Sequence, residues 1–247
     1  MSSEVNPTLI VLLYSSLAAG VSAAGVLPLL GRDRIPTVAI GWANALASGL
    51  MLGAAYLLMA AGLDYDAWIG GLGAALGIAY VWFTHAAAGT EELDLNRVDE
   101  TSEVYGYKVL LVNTLHSTPE GIAIGAAAMV NVPFGIFVAL AMAVHNIPEA
   151  TALSAILRAR GVRLRHAAGL AVMTNVTQVL LAVVTFAVLL AAPGSLPWTL
   201  GFAVGSLIYL VVSELLPESY RQAGHTTIAL LTIAAMGIVV LLGGLPR

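Results

Sequence analysis

The sequence predicts an all-α polytopic membrane protein with eight transmembrane helices, and three observations carry that prediction. Of the 247 residues, 59% are hydrophobic and only 10% are charged, against about 25% charged in a soluble domain. The apolar residues gather into eight runs of about 20 residues, long enough to cross a hydrocarbon core of roughly 30 Å. The basic residues collect on alternate connections, as expected of a chain that threads a membrane back and forth.

The runs lie near 7–30, 36–62, 67–88, 107–130, 133–157, 166–192, 197–216 and 226–242, so that one transmembrane domain accounts for residues 1–247. Pro7 and Pro36 open the first two, where a missing N–H costs nothing. Asp64 and Asp66 separate the second from the third, and the acidic loop 89–106 separates the third from the fourth. The turn Asn131-Val132-Pro133 joins the fourth to the fifth so tightly that the two are antiparallel neighbours. Arg158, Arg160, Arg163 and Arg165 precede the sixth, Pro193-Gly194-Ser195 the seventh, and Arg221 the eighth.

Loops rich in Lys and Arg stay cytoplasmic. Arg32, Arg34, Arg97, Lys108, the four arginines from 158 to 165 and Arg221 all fall on one side, and the other side holds only the terminal Arg247. Both termini are therefore expected outside the cytoplasm, in the cell (inner) membrane of a prokaryote. Glu4 and the lack of Lys or Arg before the first run argue against a cleavable signal peptide. The net charge of −4 offers no basic surface for nucleic acid, and the absence of cysteine excludes disulfides and thiolate ligands. Glu91, Glu92, Asp94, Asp99, Glu100 and Glu103, against Arg97 alone, read as a solvated cytoplasmic linker in preference to a cation catchment.

One phrase occurs twice in the middle of the chain: His116-Ser117-Thr118-Pro119-Glu120-Gly121 and His145-Asn146-Ile147-Pro148-Glu149-Ala150. In each, a histidine precedes a glutamate by four residues, so on a helix both side chains share a face. Each proline also frees the carbonyl four residues back, that of Leu115 or Val144, directly before its histidine. His116 lies 15 residues before Asn131 and His145 lies 12 after Pro133, or roughly 22 Å and 18 Å at about 1.5 Å per residue. The copies thus meet at one depth near the bilayer centre. A carboxylate there costs about 2.5–3.5 kcal/mol. One divalent cation cancels both, because two neutral imidazoles, two carboxylates and M²⁺ sum to zero, in an N₂O₂ set that suits zinc and tolerates iron, manganese or cobalt. Histidine–glutamate hydrogen bonds that merely join helices are the plainer explanation for one copy, and two copies at matched depth favour the metal.

Other polar residues interrupt the runs. Asn113 shares a face with His116, and Asn175 and Gln178 share one in the sixth run, where ligation and interhelical hydrogen bonding are equally good readings. Asn44 and Ser48 form a similar stripe. His85 falls near the end of the third run, at the expected interface, and His166 and His225 fall where solvent is expected. Glu214 opens a third Pro-Glu phrase, Glu214-Leu215-Leu216-Pro217-Glu218, either as a helix cap or as an exit-side carboxylate.

These residues resemble the Zrt/Irt-like (ZIP) family of divalent metal transporters. The two phrases look like its signatures on the fourth and fifth helices, and the Gly49-Leu50-Met51-Leu52 stretch and 205–218 are also similar. The resemblance implies a 3+2+3 arrangement with inverted repeats, the metal site between helices 4 and 5, and uptake into the cytoplasm. It also implies a second metal position beside the first, held by the residue after each histidine and by a sixth-helix glutamate. Ser117, Asn146 and Gln178 stand at those places here, without a carboxylate. One tightly bound metal per chain is therefore expected, since two bridging glutamates cannot neutralise four positive charges in a low dielectric.

The function expected is alternating-access transport of a divalent transition metal, zinc first and iron, manganese, cobalt or cadmium after it, as transported substrate and with no catalytic cofactor. His116, Glu120, His145 and Glu149 are the expected ligands, and Asn113, Ser117, Asn146, Asn175, Gln178 and Glu214 a second position or transport path. A homodimer is compatible with such a chain. The alternatives are a metal-selective channel and, against the sequence, an intramembrane metallohydrolase, whose His-Glu-x-x-His phrase is absent.

Overall fold

The computed structural model describes residues 6–32, 35–88 and 103–244, with backbone alone for 103–106. The acidic stretch 89–102, Arg34 and Arg247 lie outside the described residues. The described chain is helical throughout: α1 (Pro7–Val21, continued as a 3₁₀ helix over Ser22–Leu29), α2 (Thr37–Gly62), α3 (Ala67–Ala88), α4 (Glu103–Val130), α5 (Val132–Ala159), α6 (Leu164–Thr174 and Val176–Ala191), α7 (Leu196–Leu210, Val211–Leu215 and Leu216–Gln222) and α8 (His225–Gly243). Seven of these are long and apolar enough to cross a membrane. The exception is α4, whose 28 residues give it the length. Its middle holds Asn113, Thr114, His116, Ser117, Thr118 and Glu120, so the helix with the first copy of the phrase is polar where the others are apolar.

Local chemistry fixes the ends. The side chains of Asn6, Asp66 and Asn131 accept from the backbone N–H groups of Thr8, Trp68 and Phe134 at 2.9, 2.9 and 2.8 Å, capping α1, α3 and α5. At the other end of α5, Gly161 takes φ 80°, which lets its N–H reach Arg158 O at 2.9 Å and that of Val162 reach Leu157 O at 3.1 Å.

Inside the helices the prolines act differently. α4 and α5 run on through Pro119 and Pro148. In α7, Pro217 cannot donate to the Ser213 carbonyl, and the preceding turn, Val211–Leu215, widens into a π helix that contains Glu214. α6 breaks at Asn175, whose side-chain amide donates to Ala171 O at 2.9 Å, while Ser117 Oγ donates to Thr174 O at 2.9 Å. The expected helical face shared by Asn175 and Gln178 is thus interrupted by a turn, because the asparagine binds backbone in place of the helix.

Glycine pairs set the packing. Gly73 and Gly77 of α3 lie against the Trp198 and Phe202 carbonyls of α7, and Gly201 and Gly205 of α7 lie reciprocally against Gly70 and Ala74. Gly49 and Gly53 admit α8, and Gly121 and Gly125 admit α6 against α4. A Cβ at any of these positions would collide, so small residues four apart bring the backbones together where lipid provides no hydrophobic drive. The closest pairings are α3 with α7, α2 with α8, α4 with α6, and α5 with α1 and its 3₁₀ tail; α5 also packs on α2, and α4 on α5 and α7. Met51, Leu58, Ile124, Met142, Phe186 and Leu207 fill the centre, while Trp68, Leu72, Trp82 and Phe83 of α3 and Leu230, Ile233 and Leu241 of α8 face outward.

Candidate metal centre

α4 and α5 pack side by side and bring the two copies of the phrase together. Glu120, His145 and Glu149 form one cluster whose ligand atoms all lie within 4.8 Å of one another. His145 Nε2 lies 3.1 Å from Glu120 Oε1 and 3.6 Å from Glu149 Oε2. His116, the fourth expected ligand, stands at the edge, with Nδ1 3.9 Å from Glu149 Oε1.

The chemistry of this cluster follows from its hydrogen bonds. His145 Nδ1 lies 3.2 Å from the carbonyl of Ala47 on α2. A carbonyl only accepts, so Nδ1 carries the proton and the neutral ring turns the lone pair of Nε2 toward the carboxylates. Lone pair then faces carboxylate oxygen, an arrangement that calls for a cation or a shared proton between them. Glu120 is fully buried. Although one oxygen lies near His145 Nε2, neither accepts a hydrogen bond among the described residues. A buried carboxylate without donors is costly unless a positive charge meets it. A divalent cation among Glu120, Glu149 and the His145 lone pair meets that need with zero net charge.

His116 faces both ways. Its Nε2 lies 3.0 Å from Glu214 Oε2 on α7, and His85 Nε2 on α3 lies 3.4 Å from Glu214 Oε1. The His85 and His116 rings stack with centroids 5.6 Å apart. Sequence reasoning placed His85 at the interface because it lies less than a turn from the end of its run. The structure buries it, because α4 and α7 extend past that end and cover it. Only its presence as a lone histidine in an apolar run could have marked it. Glu214 sits among these two rings and caps no helix end.

The residues expected at a second position gather at the α6 break. Ser117 Oγ donates to Asn113 O and Thr174 O, both at 2.9 Å, and lies 3.5 Å from Asn175 Oδ1. Asn146 Nδ2 donates to Ala18 O at 3.0 Å and to Gln178 Oε1 at 3.1 Å. This node of neutral groups ties α1, α4, α5 and α6 together. Asn113 is half-buried, and its backbone carbonyl accepts from Ser117 Oγ. Asn44 is buried, and Ser48 donates to its carbonyl at 2.7 Å. His166 and His225 are exposed, the latter stacked on Tyr220.

Comparison with known proteins points the same way. Residues 84–243 match the family model described as ZIP zinc transporter. The chain is 32% identical over 227 residues to "Putative zinc transporter At3g08650" of Arabidopsis thaliana, covering 89% of this chain and 36% of that protein. It is 37% identical over 113 residues to the zinc transporter GufA of Myxococcus xanthus, covering 45% of this chain and 44% of that protein. It is 28% identical over 162 residues to the human zinc transporter ZIP13, covering 61% of this chain and 43% of that protein. The chain therefore spans between a third and a half of the length of these relatives. The family match covers well over half of the chain, including both copies of the phrase, so this protein, with its seven apolar helices, belongs to the ZIP zinc transporter family of integral membrane metal transporters.

Proposed function

We propose that the protein carries a divalent transition metal, zinc first, into the cytoplasm through a midplane site formed by Glu120, His145, Glu149 and the Nδ1 face of His116. The observation that carries this reading is the fully buried Glu120 carboxylate, which accepts no hydrogen bond among the described residues beside an oriented histidine lone pair. A cation is the partner such a pair lacks. The relatives named as zinc transporters support the metal's identity. The basic residues support the orientation, with the ends of α3, α5 and α7 on the cytoplasmic side.

The 3+2+3 arrangement with inverted repeats accounts for the packing. If α1–α3 repeat as α6–α8, exchanging them maps α3–α7 onto α8–α2, α4–α6 onto α5–α1, and α4–α7 onto α5–α2, and all six pairings occur. A site at the axis between two such halves suits alternating access. One tight metal per chain is supported by the lack of a carboxylate in the second node, where Ser117 Oγ donates to Thr174 O and Asn146 Nδ2 to Ala18 O and Gln178 Oε1, while Asn146 Oδ1 accepts no hydrogen bond among the described residues. Replacing Glu120 or Glu149 by alanine should abolish zinc uptake by reconstituted proteoliposomes while the protein stays monodisperse and helical; unchanged uptake in both variants refutes the site.

A further inference from the structure

The turn between α5 and α6 gathers more positive charge than any other connection. Arg158, Arg160, Arg163 and Arg165, with His166 after them, fall close together, and from residue 150 to 213 the sequence holds no aspartate or glutamate to oppose them. The 3₁₀ tail of α1 packs against both helices and leads to Arg32, which is exposed. Asp33, the carboxylate on that connection, is flanked in sequence by Arg32 and Arg34.

Local packing turns this charge outward. Val162 packs against the cluster that contains Leu157 and Ala167, and Leu164 against the one that contains Leu29 and Ala155. Residues alternate along the extended stretch between the helices, so Arg163 and Arg165 are exposed where Val162 and Leu164 are half-buried. Arg160 closes the end of α5, its Nη1 donating to Ile156 O at 2.8 Å. Arg163 and Arg165 form no ion pair among the described residues, whereas Arg221 at the α7 end is held by Glu218 at 2.8 Å. α6 also starts without a side-chain cap or an acidic residue in its first turn, although a helix start favours negative charge. Four neighbouring arginines and an uncapped helix start leave this corner in need of an anion.

We infer that Arg163 and Arg165 bind the phosphate of an anionic phospholipid in the cytoplasmic leaflet, with Arg158 and His166 beside them. Both helices are long and apolar enough to cross a membrane, and the turn is their shared end, at the level of the headgroups. A topological signal is served equally well by lysine. The guanidinium fork adds paired hydrogen bonds to phosphate oxygens. α5 carries His145 and Glu149, and α6 carries the break at Asn175, so the lipid is held at the cytoplasmic end of the two helices that supply both polar centres. No metal takes part, so the proposed transport and the lipid site can fail separately.

The purified full chain in detergent is titrated with phosphatidylglycerol or phosphatidylcholine of one chain length, and bound lipid is counted by native mass spectrometry. Wild type should hold one phosphatidylglycerol at least about 25-fold tighter than phosphatidylcholine, about fivefold for each arginine. Arg163→Gln and Arg165→Gln should each lose about fivefold, and the double variant should bind the two lipids alike. Arg221→Gln, which alters a paired arginine on the same side, should keep the preference. Equal binding by wild type, a preference that survives in the double variant, or displacement of the lipid by an equal concentration of inorganic phosphate overturns the lipid site. A preference that emerges only after Glu91, Glu92 and Asp94 are changed to glutamine also overturns it, by showing that the arginines are matched within the chain.

Discussion

Glu120→Gln should make the metal-free protein more stable and the metal-binding protein worse. In the metal-free state a fully buried carboxylate accepts no hydrogen bond among the described residues and shares its site with Glu149 and the His145 lone pair. An unsatisfied buried polar group costs about 1–3 kcal/mol, and a charged one more. Glutamine has nearly the same shape, loses the charge and gains an N–H₂ that can donate to either neighbour. A gain of about 1 kcal/mol corresponds to roughly 2–4 °C in Tm for a chain of this size. In the metal-bound state the same change leaves M²⁺ with one carboxylate. Breaking a buried charge pair costs about 3–5 kcal/mol, or roughly 10²- to 10⁴-fold in affinity. Differential scanning fluorimetry in detergent reads both effects: a higher Tm without metal, and loss of most of the upward shift that zinc gives wild type. A Tm that falls without metal, together with a zinc shift equal to wild type, refutes the reasoning.

Three further outcomes follow from particular contacts. Gly77→Val drives a side chain into the Phe202 carbonyl of α7 and should cost about 1–3 kcal/mol, whereas Gly71→Ala, with open space around its Cβ, should leave thermal stability unchanged. Asn146→Ala removes the ties to Ala18 and Gln178 and should destabilise the protein by about 0.6–2 kcal/mol; zinc stoichiometry by elemental analysis should stay at the wild-type value, because the neutral node holds helices and no metal. The chain has no cysteine, so single cysteines at the exposed positions Gly194 and Arg163 can be labelled with a membrane-impermeant maleimide. They should react from opposite sides, Gly194 from outside the cell.

How much was legible depends on whether the signal is local or arises between helices. Turns are local: Asn131-Val132-Pro133 between the fourth and fifth runs could be read directly, and so could the expected 67–88 run, which matches α3 at both ends. The meeting of the two phrases was also legible, because a tight turn and equal distances from it fix depth. The departures within α6 and α7 are breaks in the backbone hydrogen-bond ladder, each made by one residue. Asn175 breaks α6 by taking a carbonyl that a helix would have used, and Pro217 forces the π turn at Glu214. His85 was missed for another reason: its depth was counted on its own helix, while its burial is set by the overhang of α4 and α7. Sequence spacing reports which residues share a face and is silent on which neighbour extends beyond it.

The two copies of the phrase are alike in sequence and unlike in support, and that difference can give the path its direction. In the proposed inverted repeat α2 and α7 are counterparts, so the outer nitrogens of His145 and His116 should meet equivalent partners. Instead, His145 Nδ1 meets the neutral carbonyl of Ala47, and His116 Nε2 meets the carboxylate of Glu214. The carbonyl fixes a tautomer and offers an ion no charge to move toward. The carboxylate does both, and it has His85 beyond it. Beyond the proposed midplane site, the next carboxylate therefore stands on the α7 side, which is the cytoplasmic side in the proposed orientation. Glu214 is also more exposed than Glu120, with a side chain 30% accessible against 0%, so the two carboxylates differ in burial as well as in partners.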